Sequence, residues 1–206
     1  SLYNSQGRYA QAEALLKRSV AISEKALGPD HPDVAAVLNL LATQYGMQGQ
    51  HALAEPLFRR SLAIREKTFG PDHPAVAGSL NNLALQYGRQ DQDAQAEPLF
   101  KRALAIRERA NGPDHPDVAV ILNNLANLYE SRGRHAQAEP LLMRALQISI
   151  SFSLPPLQAK FSGSVAKLYA GTGQSDLAIL FGKRAVNTLQ SLRVVNAEQD
   201  DEAKRS

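Results

Sequence analysis

The chain contains no cysteine, which removes a disulfide framework, a thiolate metal site and a cysteine nucleophile in one step. The absence fits a reducing compartment, so a cytoplasmic location is expected. No apolar run approaches the roughly 18 residues that a membrane helix requires, and no membrane partner is expected. Neither sign of charge dominates: 23 Lys and Arg stand against 20 Asp and Glu, a net charge of +3 over 206 residues. That balance leaves no electrostatic footprint for nucleic acid. No Ser-His-Asp order, Gly-rich phosphate loop or pair of buried carboxylates can be read, so neither enzymatic activity nor a cofactor is expected. The text opens mid-pattern at Ser1 without a leader, which reads as a piece of a longer protein. With 44% hydrophobic and 21% charged residues the composition is that of an ordinary folded chain, so the information lies in the order of the residues.

That order is repetitive. Gly-Pro-Asp-His-Pro occupies residues 28–32, 70–74 and 112–116, a spacing of 42 residues both times. Between the copies, residues 54–66 (AEPLFRRSLAIRE) and 96–108 (AEPLFKRALAIRE) differ only at Arg59/Lys101 and Ser61/Ala103. A fixed period of roughly 20–50 residues signals stacked repeats, which offer extended binding surfaces in place of enclosed active sites.

Each repeat reads as two helices, A and B. In the unit from Asp72 to Gly112, the Asp72 carboxylate is expected to cap helix A, with Pro74 in the first turn, where its missing N–H costs little. Val76, Leu80, Leu83, Ala84 and Tyr87 then recur at helical spacing. The pattern breaks near residues 89–92, where other repeats carry Gly7, Gly49 and Gly133. Helix B buries Ala96, Leu99, Phe100, Ala103, Leu104 and Ile106, and Gly112 is expected to end it as a left-handed C-cap. The chain is thus expected to open on the tail of a helix A at Leu2 and Tyr3, with helix B over 9–27. Three pairs follow at 31–69, 73–111 and 115–152, then a divergent pair at 156–170 and 175–192. That gives about nine helices and no sheet. Residues 194–206 read as a charged tail or linker.

The motif Leu83, Ala84, Tyr87, Ala96, Phe100, Ala103 resembles the tetratricopeptide repeat. So do Leu41, Ala42, Tyr45, Gly49, Ala54, Phe58, Ser61 and Leu125, Ala126, Tyr129, Gly133, Ala138, Leu142, Ala145. The 42-residue period with Asp-His-Pro, Leu-Asn-Asn-Leu-Ala and Ala-Glu-Pro-Leu resembles the kinesin light chain type. Residues 177–193 (LAILFGKRAVNTLQSLR) resemble the segment that closes the repeat array of bacterial CHAT-domain proteins. The first resemblance implies an all-α, right-handed solenoid over residues 1–193 whose helix A faces line a concave groove. The second implies a bacterial source and a caspase-like effector domain linked beyond the C-terminus.

Three residue groups are candidates for chemistry. The pairs Asp30/His31, Asp72/His73 and Asp114/His115 suit a metal, but successive pairs stand about 20 Å apart at about 10 Å per packed helix, too far to share one ion. Helix capping is the simpler use, and no metal is expected. The basic pairs Lys17-Arg18, Arg59-Arg60, Lys101-Arg102 and Lys183-Arg184 recur on helix B; Glu13, Glu55 and Glu97 lie four or five residues before the first three, with Glu139 at the matching place of the next repeat; they suit surface ion pairs on a convex face, or a partner patch. The third group is the asparagines of helix A. On a helical wheel the arc opposite the buried stripe carries Gly78, Asn82, Leu85 and Arg89, bordered by Asn81. The next repeat carries Val120, Asn124, Asn127 and Ser131 there, bordered by Asn123, and the preceding one Ala36, Leu40, Thr43 and Met47, bordered by Asn39. Amides both donate and accept, so such a row can hold the main chain of an extended peptide, though Leu40 interrupts it. Alternatively the asparagines bond to neighbouring helices. The reading is a non-catalytic scaffold that binds a protein or extended peptide segment in the groove through Asn39, Asn81, Asn82, Arg89, Asn123, Asn124 and Asn127. Its rivals are the regulatory arm of a CHAT protease and a structural or self-assembly spacer without ligand.

Overall fold

The computed structural model describes the backbone from Leu2 to Arg205 and the side-chain surroundings of residues 10–192. The described residues form nine helices and no strand: α1 (Leu2–Leu27), α2 (Pro32–Met47), α3 (His51–Phe69), α4 (Pro74–Arg89), α5 (Asp93–Asn111), α6 (Pro116–Glu130), α7 (His135–Ser151), α8 (Pro155–Gly171) and α9 (Ser175–Arg205). Two expectations are corrected. α1 runs unbroken through Gly7, where a turn was expected, because an interior glycine costs a helix about 1 kcal/mol and does not forbid it. α9 continues past Leu192, through residues rich in the helix formers Ala, Glu, Gln, Lys and Arg. The side chains of Leu2, Tyr3 and Gly7, and those of the expected tail 194–206, lie outside the described residues.

The chain divides into two compact units, Ser1–Ala110 and Asn111–Ser206. Within the first, successive helices pack on one another from α1 to α4, and α2 also touches α4. Val34, Ala35 and Leu38 of α2 meet Ile64 of α3, with Val20 and Leu57 against them. Val76, Leu80, Leu83, Ala84 and Tyr87 are buried on α4, and Ala96, Phe100, Ala103 and Ile106 on α5, at the helical spacing read from the sequence. Leu99 and Leu104, expected on that stripe, are only half-buried. Ser61 stands where Ala103 and Ala145 recur; its hydroxyl donates to the Ala35 carbonyl at 2.7 Å, which makes a buried serine tolerable there. In the second unit α6, α7, α8 and α9 pack in succession around Leu122, Leu142, Phe161 and Leu168.

The Gly-Pro-Asp-His-Pro turn starts α2, α4 and α6 in one way. His31, His73 and His115 are the N-cap residues, with extended backbone at φ near −74° and ψ near 143°. Each Nδ1 accepts the backbone N–H two residues on, from Asp33, Ala75 and Asp117, at 3.2 Å every time. The expectation that Asp72 caps is therefore corrected. The cap must directly precede the first helical residue, Pro74, and Asp72 is one position too early. Its carboxylate takes Arg109 at 2.9 Å, and that of Asp30 takes Lys67. The preceding glycine is corrected in kind. Gly70 has φ 88° and ψ 158°, the mirror of extended backbone and not the left-handed helical region, so a side chain is even less welcome there. The divergent repeat has lost this turn: Leu154 caps α8 without a side-chain bond, and Ser153 holds φ 51°.

Phe100 is 1% exposed, so truncation to alanine should cost about 3–5 kcal/mol in chemical denaturation. An unchanged midpoint would contradict the assigned register. Gly70→Ala should cost about 1–3 kcal/mol from backbone strain alone, since nothing lies within 4 Å of the added β-carbon. Unfolding curves that superpose on the parent's would show that the turn adopts another conformation.

Candidate functional site

The histidines of the repeated turns are engaged as caps, which leaves each Asp-His pair without a free Nδ1 for an ion. Among the described residues no group of three or more His, Asp or Glu side chains could hold a metal. In Arg59-Arg60 and Lys101-Arg102 the two members have different tasks. Lys17, Arg59 and Lys101 reach back one turn to Glu13, Glu55 and Glu97 at 2.7–2.9 Å. Arg60 and Arg102 instead bind the preceding repeat. Arg60 spans Glu24 at 2.6 Å and the Pro29 carbonyl at 3.1 Å, and Arg102 spans Glu66 and the Pro71 carbonyl, both at 2.7 Å. In the second unit Arg144 donates to the Pro113 carbonyl at 2.6 Å.

The same glutamates receive the tyrosines. Tyr45 donates to Glu13 and Tyr87 to Glu55, each at 3.0 Å, and Tyr169 donates to Glu139 at 2.8 Å. Bonds from Lys17 and then Tyr45 hold the Glu13 carboxyl below its usual pKa. Burial, and then Glu55, push the Tyr87 phenol up. The basic face is thus largely committed to holding the stack together.

The structure places the asparagines unequally. In the first unit Asn39 is half-buried on α2, and its Oδ1 is buried without a hydrogen-bond partner. Asn81 donates from Nδ2 to Asn82 Oδ1 at 3.3 Å, so these two are brought together. Asn82 is half-buried and Arg89, two turns further along α4, is exposed. In the second unit Asn124 is half-buried and Asn127 exposed on α6. Asn123 is completely buried, with neither Nδ2 nor Oδ1 hydrogen-bonded, so the expectation of an accessible amide at that position is corrected. One residue of helical rotation, about 100°, separates a border position from the interior. On α2 the corresponding arc is apolar and open, with Leu40 58% and Met47 65% exposed, so the amide row does not extend there.

The sequence reading missed a polar set beneath Arg89. Gln86 is fully buried on α4, and its Nε2 lies 2.8 Å from Nδ1 of His51, the first residue of α3. A β-carbon at Gly46 of α2 would stand 2.6 Å from Gln86 Oε1 and 3.3 Å from Arg89 Nη1. The available signal was a glutamine inside the buried stripe, between Ala84 and Tyr87. Also unforeseen is a cleft of about 470 Å³ on another face of α4, floored by Leu83 and Tyr87 and walled by Leu62, Ala63, Pro98 and Leu99. Leu83, Tyr87 and Leu99 of its lining belong to the stripe read from the sequence, whereas Ala63, Ala94, Gln95 and Pro98 are exposed positions to which that pattern gives no role. On α3, Arg65 donates to the Ala75 carbonyl of α4 at 2.9 Å, and burial lowers the pKa of its guanidinium.

Comparison with known proteins gives the arrangement a context. A family model described as tetratricopeptide repeat matches residues 1–67, 33–109 and 75–151. No curated protein matches the chain. Among solved structures, BtubC (BKLC) from P. vanneervenii superposes with a TM-score of 0.77 at 24% identity, over 93% of this chain and 77% of that one. A Podosopora anserina putative kinesin light chain with nearly identical TPR-like repeats gives 0.71 at 26% identity, over 92% and 91%. Aspartyl phosphate phosphatase F from Bacillus subtilis gives 0.78 at 16% identity, over 93% of this chain and 49% of that one, a likeness of fold alone. Together with the nine described helices, these matches make the fold an all-α solenoid of helix pairs.

His73→Ala removes the acceptor that caps α4 and should lower stability by about 1 kcal/mol, while His73→Asn should retain most of it. Thermal melts of the two variants that coincide would show that Nδ1 contributes nothing as a cap.

Proposed function

Because the chain belongs to the tetratricopeptide repeat family, and to its kinesin light chain type, we propose that this protein-interaction scaffold holds an extended segment of a partner protein along the asparagine-bearing face of its first helices. The reading is of a cytoplasmic protein without catalysis or cofactor; no described helix is long and apolar enough to cross a membrane. The observation that carries it is the outer arc of α4. Asn82 presents an amide there, and the exposed Arg89 makes no hydrogen bond or ion pair among the described residues. Amides suit a ligand main chain, because they donate and accept whatever its side chains are. A free guanidinium suits a carboxylate, with which it forms two parallel charge-assisted bonds. On α6, Asn124 and Asn127 offer the same chemistry in the second unit. Asn123, being buried, is a structural residue in this reading. The cleft between α3 and α5 is a weaker candidate, because its charged rim residues Arg59 and Glu66 are already paired with Glu55 and Arg102.

The test is a peptide selection on the immobilised chain from a random library, followed by affinity measurements. Asn82→Ala/Asn124→Ala should weaken the selected peptides at least about tenfold, since each lost hydrogen bond contributes roughly 0.5–1.5 kcal/mol. The melting temperature should hold, because alanine has the higher helix propensity. A variant that unfolds makes the asparagines structural. A folded variant that binds normally moves the site to another face.

A further inference from the structure

Gly46, His51, Gln86 and Arg89 come from three helices of the first unit and meet at one place. Gln86 is oriented by His51, whose Nδ1 lies 2.8 Å from its Nε2. Its Oε1 is turned toward α2, buried and without a hydrogen-bond partner. Position 46 there is glycine, and any β-carbon would come within 2.6 Å of that oxygen and 3.3 Å of Arg89 Nη1. The Arg89 guanidinium therefore lies against bare helix backbone beside a fixed amide, with its donors unpaired among the described residues.

The second unit supplies an internal comparison, because the repeat period places its own residues at the same four positions. His135 stands for His51, Leu168 for Gln86, Glu130 for Gly46 and Gly171 for Arg89. The histidine persists but its Nδ1 is buried without a partner, since leucine offers it nothing. Glu130 is closed off by Lys167 at 2.6 Å. A β-carbon at Gly171 would meet only the His135 ring, at 3.6 Å. At this place the arginine, the glycine and the glutamine are all absent, while at the other equivalent places Gln44 occurs with Met47 and Gly88 with Ser131. The combination of glycine, histidine, glutamine and arginine thus occurs once in the chain and is not demanded by the repeat itself.

We propose that Gly46, His51 and Gln86 are positioning residues that seat Arg89 as a fixed, unpaired guanidinium, so that the scaffold reads a carboxylate of its partner in the first unit and none at the matching place in the second. The carboxylate rests on the groove reading above; the seating of Arg89 does not. A seated guanidinium meets a carboxylate without first surrendering its rotamer freedom, so the seat strengthens binding without adding a contact.

The test has one arm for each half. Gln86→Leu copies the leucine of the second unit, and Gly46→Ala/Gln86→Leu adds a side chain at the other position with the oxygen that a lone alanine would strike at 2.6 Å removed, so both should melt near the wild type. In 15N relaxation of the arginine side chains, Arg89 Nε should be rigid in the wild type and mobile in both variants, with Arg60 and Arg102 unchanged. Equal mobility of Arg89 in wild type and Gln86→Leu overturns the seat, whatever binds. In calorimetry with an acetylated oligoglutamate peptide, Gln86→Leu should weaken binding about three- to tenfold, the cost of immobilising one side chain. Arg89→Ala should abolish it, Glu130→Ala should leave it unchanged, and oligolysine should not bind. A rigid Arg89 with no oligoglutamate binding overturns the carboxylate assignment and the groove reading beneath it, and leaves the positioning role standing.

Discussion

The tyrosine near the end of α2, α4 and α8 ties its helix pair to the one before it. Tyr45, Tyr87 and Tyr169 bury their rings and donate their hydroxyls to a glutamate of the preceding second helix. Lys17 and Arg59 lie over the rings of Tyr45 and Tyr87, so each of these phenols sits between a carboxylate and a cation. A helix pair has two apolar faces and can close only one by itself; the other waits for the next repeat. The tyrosine contact spans that second interface, which is why the stack gains stability as nearest-neighbour terms and not from one central core.

The repeated turn serves the same end. Its glycine takes a backbone conformation closed to other residues, its proline carbonyl receives an arginine from the following second helix, its aspartate an ion pair, and its histidine caps the next helix. Residues that look like a metal or acid-base motif are therefore consumed by architecture. Outside this packing, among the described residues, the far arc of the first helices bears amides and, on α4, the Arg89 guanidinium. The two units also differ there. The first keeps Arg89 unpaired over Gly46, while the second has Gly171 in place of the arginine and, in place of Gly46, Glu130 paired with Lys167.

The helix register was open to sequence reasoning because burial repeats with the helix period: Leu83, Ala84, Tyr87, Ala96, Phe100 and Ala103 are all buried. Family membership followed from the same residues and is upheld by the match over residues 1–151. Helix ends were less legible. Gly7 looked like a turn because its counterparts Gly49 and Gly133 are turns at φ 73° and 68°, yet a lone glycine leaves a helix free to continue. In one repeat Asp91 holds the same turn at φ 58° with no glycine, as aspartate can.

Sequence alone determined the period, the helix pairing, the buried stripe and the absence of cysteine chemistry, because each depends on spacing along one chain. Tertiary structure decided which neighbour each polar group met. Asp72 and His73 are adjacent in sequence, but only the capping geometry assigns the cap to the histidine. Asn123 and Asn124 are adjacent as well, and packing buries one completely while leaving the other half-open. Gln86, His51 and Gly46 are 5 to 40 positions apart and meet only because three helices converge. Hydrogen bonds and close contacts act over about 3 Å, and no pattern in one helix specifies what a second or third helix brings within that distance.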